Sequence, residues 1–375
     1  MKILFTGGGS GGHFYPIIAV AEEINQMIAS NKLAPVEMFY MSDSSYNEGV
    51  LFENNIQFKK TSAGKIRIYF SIKNFFDLFK TGWGIIGAII QIYKIYPDVI
   101  FGKGGYASFP ALFAARIFRI PVVLHESDSV PGRVNVWASK FADRIAVSYK
   151  ETLELFPKDK VAYTGNPIRK EIIIPLTSGA HEFFELDHAI PTILILGGSQ
   201  GAQLINESIM EALPDLVKHY QVIHQTGKNN ILAAKETAAI VLEKSEFKSR
   251  YKPFDYLQIL VLRMAAGAAQ IVITRAGSTL FEVASWGVPA IVVPITNTNG
   301  NHQRKNAYAY ARSGAGIVIE EKNLTGHILV SEVTRLLSSP DLLARMKEST
   351  KTFAHNDAAK KIAVEIMNIA LSHEK

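Results

Sequence analysis

Short apolar runs alternate with longer amphipathic stretches along most of the chain. In the first half the strand-like runs are KILF, VEMFYM, DVIFG, PVVLHE and RIAVS, and a helical pattern from Tyr15 to Ser30 separates the first two. Short apolar runs that alternate with helices are typical of βαβ units. The first half is therefore predicted to be a doubly wound α/β domain built around a parallel sheet.

A break over residues 156–189, rich in proline and glycine, interrupts this pattern. A second series follows, with the runs TILIL, YQVIHQ, AQIVIT, PAIVVPI and AGIVIEE. We predict two Rossmann-like domains, over residues 1–164 and 165–351. They would leave a cleft between the carboxyl ends of their strands, where open α/β sheets bind ligands. A helical stretch at 341–372 has no strand after it, and residues 352–375 are expected to pack back on the first domain.

The amino-acid composition excludes several classes of protein. Hydrophobic residues make up 48% of the chain and charged residues 20%, a balance that argues for a packed globular protein and against disorder. The formal charge of +6 indicates an anionic partner, which could be nucleic acid, a phospholipid surface or a phosphorylated substrate. The absence of cysteine excludes disulfides, zinc-thiolate sites and cysteine nucleophiles.

From the sequence we expect neither a signal peptide nor a membrane anchor. Glycines interrupt the apolar run after Lys2 before a signal-peptide core can form. The longest uncharged apolar run, at 81–93, is shorter than the ~20 residues that a spanning helix needs. We therefore expect a cytoplasmic protein without a transmembrane helix.

The stretch FTGGGSGGHFYP carries the first candidate site. Gly7, Gly9 and Gly12 have the G-x-G-x-x-G spacing of dinucleotide-binding loops. Such a site needs an acid about 20 residues further on for a ribose, and Asp43 lies too far along to fit well, so the loop could hold another phosphate at the start of the following helix. At this position the helix end favours a neutral imidazole on His13, which would suit a general base. The alternative is a helix-start histidine bonded to local backbone.

Two further glycine loops follow strands of the second half. The loop at 197–201 (GGSQG) offers a second anion site with the hydroxyl of Ser199, or it is only a tight strand-to-helix turn. In the loop RAGSTLFE, Glu282 could accept both hydroxyls of a ribose while loop N–H groups meet phosphate. Alternatively, Ser278 caps the helix and Glu282 complements its dipole. Downstream, the polar run at 301–306 suits sugar hydroxyls, although a solvated helix start would look similar.

The segment at 59–96 combines basic and aromatic residues in a way that suits a membrane surface. An amphipathic segment of this composition can rest in the headgroup layer, where anionic lipids attract the cations. We expect this role for Phe70 to Phe79, whereas Ile85 to Ile92 could equally be helix core. The residues concerned are Lys59, Lys60, Lys65, Arg67, Phe70, Lys73, Phe75, Phe76, Phe79, Lys80, Trp83 and Lys94.

Eight motifs occur in a fixed order over residues 1 to about 310: GGGSGGHFYP, GKGGYASFP, VVLHES, GNPIR, GGSQGA, HQTGK, RAGSTLFE and HQRKNA. In this order they resemble the MurG family of glycosyltransferases, within glycosyltransferase family 28. The resemblance implies a GT-B fold of two Rossmann-like domains. It also implies transfer of N-acetylglucosamine from UDP-GlcNAc to the 4-hydroxyl of undecaprenyl-diphospho-MurNAc-pentapeptide in peptidoglycan synthesis.

The same resemblance assigns roles to individual positions. His13 matches the candidate base near the attacking hydroxyl. Asp128 stands where the family has an amide, in HESD instead of HEQN, and could accept a hydroxyl hydrogen bond or compete with His13 as base. The positions implied to bind substrate are Ser10, Gly11, Gly12, Gly104, Gly105, Tyr106, Glu126, Asn135, Arg169, Ser199, Gln200, Gly201, Phe254, Gly277, Ser278, Thr279, Glu282, His302 and Gln303.

Further departures from the family concern the donor half: the segment from Phe254 to Arg275 is longer, the RAGSTLFE loop is shorter, and Asn301 replaces a common aspartate. The expected reaction is a single inverting displacement without cofactor or metal. The expected partners are the two substrates and the anionic inner leaflet, at the cytoplasmic face of the cell membrane, and not nucleic acid. The resemblance also links the protein to cell wall biogenesis, cell shape and cell division. A UDP-N-acetylglucosamine 2-epimerase is the first alternative, followed by a nucleotide-binding oxidoreductase and a non-catalytic membrane-bound protein.

Overall fold

The computed structural model describes residues 1–31, 35–64, 72–197, 201–296 and 301–373. The chain divides into two compact units. Unit 1 comprises Met1–Arg169 and Asn356–Lys375, and unit 2 comprises Lys170–His355. Among the described residues, no helix is both long and apolar enough to cross a bilayer.

Unit 1 is built on a parallel sheet of seven strands in the order β3-β2-β1-β4-β5-β6-β7. The chain turns to opposite sides of β1, so the switch point of this doubly wound sheet lies between β1 and β4, where such sheets bind ligands. The strands are β1 Lys2–Thr6, β2 Glu37–Ser42, β3 Ile56–Lys60, β4 Val99–Gly102, β5 Val122–Glu126, β6 Arg144–Val147 and β7 Val161–Tyr163.

Helices cover both faces of this sheet because the central strands are apolar on both sides. Ile3 and Phe5 of β1 pack under the first and last helices of the chain, whereas Leu4 faces the third and fourth helices. The helices of unit 1 are α1 Gly11–Asn31, α2 Glu48–Glu53, α3 Ile72–Ile95, α4 Phe109–Phe118, α5 Arg133–Ala138 and α15 Ala358–His373, with short 3-10 turns at Tyr106–Ser108 and Lys150–Leu155.

Unit 2 repeats the architecture with six parallel strands in the order β10-β9-β8-β11-β12-β13. Its switch point lies between β8 and β11. The strands are β8 Thr192–Leu196, β9 Gln221–Gln225, β10 Tyr251–Phe254, β11 Ala269–Thr274, β12 Ala290–Val292 and β13 Gly316–Val318. The helices are α6 Lys170–Ile173, α7 Ala180–Phe184, α8 Gln203–His219, α9 Ile231–Val241, α10 Ile259–Ala268, α11 Thr279–Ser285, α12 His302–Arg312, α13 Gly326–Leu337 and α14 Pro340–Phe353, with 3-10 turns at Lys248–Arg250 and Glu321–Asn323.

The sequence pattern missed three strands, β3, β7 and β10. Each lies at an edge of its sheet, where one side of the strand is open and a continuous apolar run is not required. β10 even contains Pro253, which an edge strand tolerates because its missing N–H faces outward.

The helical stretch predicted at 341–372 consists of two helices. These helices are α14 and α15, and the chain leaves unit 2 and returns to unit 1 in the turn that separates them. Phe353 at the end of α14 stacks on Phe281 in unit 2 at 5.0 Å between ring centroids. In contrast, Ile366 of α15 is fully buried against the core of unit 1 around α1.

Candidate functional site

The amino end of α1 lies at the switch point of unit 1 and carries the candidate base. This helix begins at Gly11, earlier than the predicted Tyr15, because the carbonyl of Ser10 accepts the N–H groups of His13 and Phe14. His13 Nδ1 lies 3.0 Å from Ser10 Oγ. An imidazole whose Nδ1–H donates to that hydroxyl keeps a lone pair on Nε2, which is the arrangement that a general base needs.

Gly104 and Gly105, after β4, bring a second loop against the candidate base. Both have φ of +80°, a left-handed conformation that favours glycine. A Cβ atom on Gly104 would come within 2.7 Å of the Asn135 side-chain nitrogen, and one on Gly105 would lie 3.6 Å from His13 Nε2. The two glycine loops of unit 1 therefore meet around His13, as the order of strands β1 and β4 requires.

Tyr106, which follows the two glycines, links this loop to the residue after β2. Its hydroxyl donates to Asp43 Oδ2 at 2.7 Å. Burial and the neighbouring carboxylate raise the pKa of Tyr106 to about 12, so the hydroxyl remains a donor at neutral pH. Asp43 is the acid considered above for a dinucleotide ribose, and the structure pairs it with Tyr106 instead.

The buried carboxylate of Glu126 organises the loop between β5 and α5. Its Oε1 accepts the N–H of Asp128 at 3.0 Å, and its Oε2 accepts the N–H of Gly132 at 2.8 Å and the amide of Asn135 at 2.9 Å. Asn135 also donates to the carbonyl of His125 at 3.1 Å. Burial, followed by the charge of Asp128, raises the pKa of Glu126. These bonds fix the loop that carries the half-buried Asp128.

Sequence reasoning missed Lys103, the residue between β4 and the glycine pair. It is only 1% exposed, and its ammonium nitrogen has no hydrogen-bond acceptor among the described residues. Burial lowers the pKa of Lys103 to about 8, although the charges of Glu126 and Asp128 oppose this shift. The only sequence signal was a lysine in an otherwise apolar and glycine-rich stretch.

His125, also unassigned from sequence, is fully buried beside this lysine. Its Nε2 lies 3.1 Å from the carbonyl of Gly165 and 3.2 Å from Ser148 Oγ. Burial, then the charge of Lys103, holds the pKa of His125 well below its usual range. His125 is therefore neutral at physiological pH, and it forms part of the interior beneath the site.

Arg169, predicted to meet the donor, ends unit 1 and stacks on α1. Its guanidinium carbon lies 4.0 Å from the ring centroid of Tyr15, a cation–π distance. The Tyr46 ring packs on Phe14 at 4.9 Å and on Tyr15 at 5.8 Å. Tyr46 holds the left-handed φ of 58°, which costs a non-glycine residue about 1–2 kcal/mol. These aromatic rings and Arg169 pack together beside the first turn of α1.

In unit 2, the loop after β8 lies only partly within the described structure. Ser199 and Gln200 fall outside the described residues. Gly201 has φ of +76°, and any side chain there would collide with the carbonyl of Thr226 and the amide of Asn230. This close approach places the start of α8 against the loop after β9.

A buried polar network supports that contact. His224 Nε2 lies 3.0 Å from Asn206 Oδ1, and its Nδ1 lies 2.9 Å from the hydroxyl of Tyr251. The Asn206 amide in turn donates to the carbonyl of Thr226 at 2.9 Å. The HQTGK motif thus supplies an interior histidine that links α8, β9 and β10.

We expect His224 to make unit 2 sensitive to acid. Burial lowers its pKa from 6.5 to about 3, so between these pH values the unfolded chain binds a proton that the folded chain does not, and stability falls as pH falls. The contribution is about 2–3 kcal/mol between pH 6.5 and 4.5. Urea unfolding of wild type and His224→Gln at both pH values should show a smaller pH dependence in the variant. His219→Ala, at an exposed histidine, should retain the full dependence. Equal slopes in all three proteins would disprove the assignment.

The RAGST loop follows β11 at the switch point of unit 2. Ser278 precedes α11 but its side chain makes no capping hydrogen bond, and Glu282 lies in the first turn of the helix. Arg275 pairs with Glu321 at 2.6 Å and donates to the carbonyl of Val293 at 3.1 Å. Ser278 therefore occupies the N-cap position without a capping side-chain hydrogen bond, and Glu282 lies where it complements the helix dipole. An ion pair that the sequence did not indicate anchors the loop. Gly277 and Thr279 complete it between β11 and α11.

The remaining predicted donor-site residues lie at the ends of β10 and α12. The half-buried ring of Phe254 meets Phe184 edge-on at 5.6 Å. His302 and Gln303 open α12, and Gln303 Oε1 accepts the N–H of Ile295 at 3.1 Å. Asn301 precedes them with a left-handed φ of 52°. No cluster of three potential metal-ligating side chains occurs in the part of the chain that the structure describes.

Two parallel-sheet units with glycine loops at their switch points define a GT-B fold. Two family models match the chain: the glycosyltransferase family 28 N-terminal domain over residues 3–147 and the glycosyltransferase family 28 C-terminal domain over residues 192–362. The chain belongs to glycosyltransferase family 28.

Individual relatives agree with this membership. A Bacillus cereus protein named UDP-N-acetylglucosamine–N-acetylmuramyl-(pentapeptide) pyrophosphoryl-undecaprenol N-acetylglucosamine transferase 2 is 34% identical over 338 residues, which cover 89% of this chain and 91% of the relative. The crystal structure of Acinetobacter baumannii MurG has a TM-score of 0.74 at 25% identity, covering 98% of this chain and 99% of that chain. The predicted family and GT-B fold are therefore confirmed.

A Neisseria meningitidis UDP-GlcNAc 2-epimerase bound to UDP-GlcNAc also has this architecture. Its TM-score is 0.68 at 17% identity, with coverage of 98% of this chain and 100% of that chain. At this identity the likeness shows the shared fold alone.

Proposed function

We propose that this chain transfers N-acetylglucosamine from UDP-GlcNAc to the 4-hydroxyl of an undecaprenyl-diphospho-MurNAc-pentapeptide, with inversion from α to β. The observation that carries the proposal is the 34% identity, over nine-tenths of the chain, to a relative named for this transfer. The geometry of unit 1 supports it, because a histidine oriented by a serine lies where two glycine loops meet. The acceptor binds in unit 1 and the sugar nucleotide binds in unit 2.

His13 is the proposed base of the reaction. Its Nε2 removes the proton from the acceptor 4-hydroxyl while that oxygen bonds to the anomeric carbon of the donor. The bond from this carbon to the UDP oxygen breaks, and its electron pair leaves with UDP. Ser10 holds the imidazole by its Nδ1 side, so that Nε2 remains the proton acceptor. Asp128 is the competing base.

Unit 2 and Arg169 would stabilise the charge that develops on UDP. Loop N–H groups at 277–279 and the guanidinium are suited to an anionic leaving group. The carboxylate of Glu282 is suited to the two hydroxyls of a ribose. These assignments, with Ser199, Gln200, Phe254, His302 and Gln303 as further donor contacts, rest on the motifs that the chain shares with the MurG family.

The test of this function is transfer of labelled N-acetylglucosamine from UDP to a short-chain analogue of the lipid-linked muramoyl-peptide. Product should form only when both substrates are present. The epimerase alternative predicts UDP-N-acetylmannosamine from the donor alone. If that product formed and no disaccharide did, the transferase proposal would be wrong. Thermal stabilisation by NAD(P) in place of UDP would favour an oxidoreductase.

The outer face of α3 supports binding to an anionic membrane surface. Aromatic and aliphatic side chains are exposed at alternating spacings of three and four residues, which places them on one helix face. The stripe spans about 25 Å of the helix, and exposed Lys80 and Lys94 lie close to it in sequence. Its exposed residues are Phe76, Phe79, Trp83, Ile86, Ile90 and Tyr93.

The opposite face of α3 packs into the core of unit 1, and this fixes which side of the helix is exposed. Ala88, Ile92 and Ile95 are buried, and Thr61 Oγ1 donates to the carbonyl of Gly84 at 3.2 Å. The segment Ile85–Ile92 is therefore partly core and partly exposed. Lys65, Arg67 and Phe70 lie outside the described residues. We propose that α3 lies in the headgroup layer of the cytoplasmic leaflet, which would hold the protein peripherally where its acceptor is found.

Replacing Trp83 or Phe79 by glutamate is expected to weaken binding to vesicles of anionic phospholipid roughly 10-fold each, because each loses buried apolar area and repels the lipid charge. The matched control is Phe52→Glu on α2, at a phenylalanine that is 84% exposed and lies off the stripe. Vesicle co-sedimentation measures the effect, and thermal melting checks the fold. Equal loss for Phe52→Glu and Phe79→Glu would contradict a specific membrane face.

A further inference from the structure

One carboxylate in unit 2, to which the proposed reaction gives no role, ties together the loops after β11 and β12. Glu321 lies in the 3-10 turn that follows β13. Its Oε1 pairs with the guanidinium of Arg275 at 2.6 Å, and its Oε2 accepts both the N–H and the hydroxyl of Thr296, at 2.9 and 2.8 Å. Segments that follow three neighbouring strands, β11, β12 and β13, therefore meet at this carboxylate.

The ion pair at the centre of this contact is sheltered from solvent. The side chain of Arg275 is 14% exposed and that of Glu321 is 13% exposed. The Arg275 nitrogen that pairs with the carboxylate also donates to the carbonyl of Val293 at 3.1 Å, which adds a second link to the chain just after β12. Removing one partner of such a pair leaves the other charge uncompensated, whereas exposed pairs contribute little.

Both tied loops lead into residues that are proposed to bind the donor. The loop after β11 contains the N–H groups at 277–279 that are proposed to meet the phosphates. The loop after β12 is joined to the start of α12, because Gln303 Oε1 accepts the N–H of Ile295 at 3.1 Å. The Asn306 amide of the same helix donates to the carbonyl of Ala276 at 3.1 Å. A shift of either loop relative to the other would therefore strain or break several of these bonds.

We propose that Glu321 is a positioning residue for UDP-GlcNAc: by holding Arg275 and Thr296, it sets the RAGST loop and the start of α12 at the separation that one bound nucleotide sugar requires. Both of its oxygens accept bonds from the protein, so it acts through the loops and does not itself touch the donor. Fixed N–H groups stabilise an anion because they need no rearrangement when the charge develops, and a displacement on the order of 1 Å removes much of this effect. The inference rests on the proposed function only in that UDP binds to unit 2.

The variant that tests this role is Glu321→Ala, which is expected to raise the dissociation constant for UDP roughly 10-fold in calorimetric titration, because the phosphate loop loses its fixed position. Thr296→Val removes only a hydroxyl at an exposed residue, so it should fold normally and raise the constant about 2- to 3-fold. Glu321→Gln keeps one acceptor oxygen and should fall between wild type and Glu321→Ala.

Glu332→Ala is the matched control. Glu332 also pairs with an arginine of unit 2 at 2.6 Å, but that partner, Arg335, lies on the same helix, α13, so the pair joins no loops. Its dissociation constant for UDP should equal that of wild type. Equal losses of UDP affinity in Glu332→Ala and Glu321→Ala would contradict a specific role for Glu321.

A double-mutant cycle and the transfer kinetics distinguish positioning from a general effect on stability. Combining Arg275→Met with Glu321→Ala should weaken UDP binding little more than Glu321→Ala alone, because both changes break the same link. In transfer assays, the KM for UDP-GlcNAc should rise while the KM for the acceptor stays constant. A lower melting temperature with wild-type UDP affinity would show a purely structural ion pair and overturn the inference. If wild type binds UDP but performs no transfer, the proposed function fails, while the UDP titrations still decide the role of Glu321.

Discussion

Replacing His13 by alanine is expected to lower the turnover number roughly 10²- to 10⁴-fold, the usual contribution of a general base, with little change in UDP affinity. The reason is positional: His13 opens α1 at the switch point of unit 1, with Nδ1 against Ser10 and Nε2 on the side of Gly105. The loops that we propose to bind UDP belong to unit 2 and do not include this residue. Initial rates of labelled N-acetylglucosamine transfer measure the effect, and calorimetric titration measures UDP binding.

Three comparison variants make this result specific. Ser10→Ala should lower turnover less than His13→Ala, because the imidazole would lose its orienting partner and keep its base. His219→Ala removes an exposed histidine at the end of α8 and should leave turnover unchanged. If His13→Ala retained wild-type turnover while Asp128→Asn lost it, the base would be Asp128.

Replacing Glu126 by alanine is expected to destabilise unit 1 by roughly 3–5 kcal/mol, the range for breaking a buried charged network. The change leaves the N–H of Asp128, the N–H of Gly132 and the amide of Asn135 without their acceptor, and each buried unsatisfied donor carries a penalty of about 1–3 kcal/mol. Activity should fall with it, because the loop that carries Asp128 would lose its anchor. Urea unfolding and transfer rates provide the measurements.

Glu365→Ala is the matched control for this loss. Glu365 also belongs to unit 1, but it pairs with Arg144 at the surface, where the side chains are 54% (Arg144) and 37% (Glu365) exposed. Exposed ion pairs contribute about 0–1 kcal/mol. Comparable destabilisation by the two alanine variants would mean that the Glu126 network does not hold the loop as described.

The local pattern of apolar residues was sufficient to predict much of the fold. The apolar runs around Leu4, Leu124 and Ile195 are buried on both faces, and such strands have a signature that needs no knowledge of their neighbours. Edge strands such as β10 lacked this signature, because their open side imposes no apolar requirement. The exposed stripe on α3 shows the same limit: isoleucines occur on both faces of the helix, and only packing decides that Ile92 is buried and Ile90 exposed.

The candidate site was also predictable only in part from the sequence. The sequence placed His13 beside a glycine loop at a helix start, because the strand, glycine and helix signals are adjacent along the chain. It did not indicate that Ser10 orients the imidazole or that Tyr106 binds Asp43, and it gave no role to Lys103. Those relationships join residues from different strands and loops, and the order of strands in a parallel sheet is set by contacts far apart in sequence.

The sequence by itself determined two α/β domains, the positions of their glycine loops and a candidate base at a helix start, since each of these depends on short-range periodicity or on a contiguous motif. Tertiary structure alone decided how the last helices divide between the units, which face of α3 remains exposed and which buried charges lie together beneath His13. Burial and electrostatic coupling depend on the groups that surround a residue in space, and these groups come together only when the chain folds.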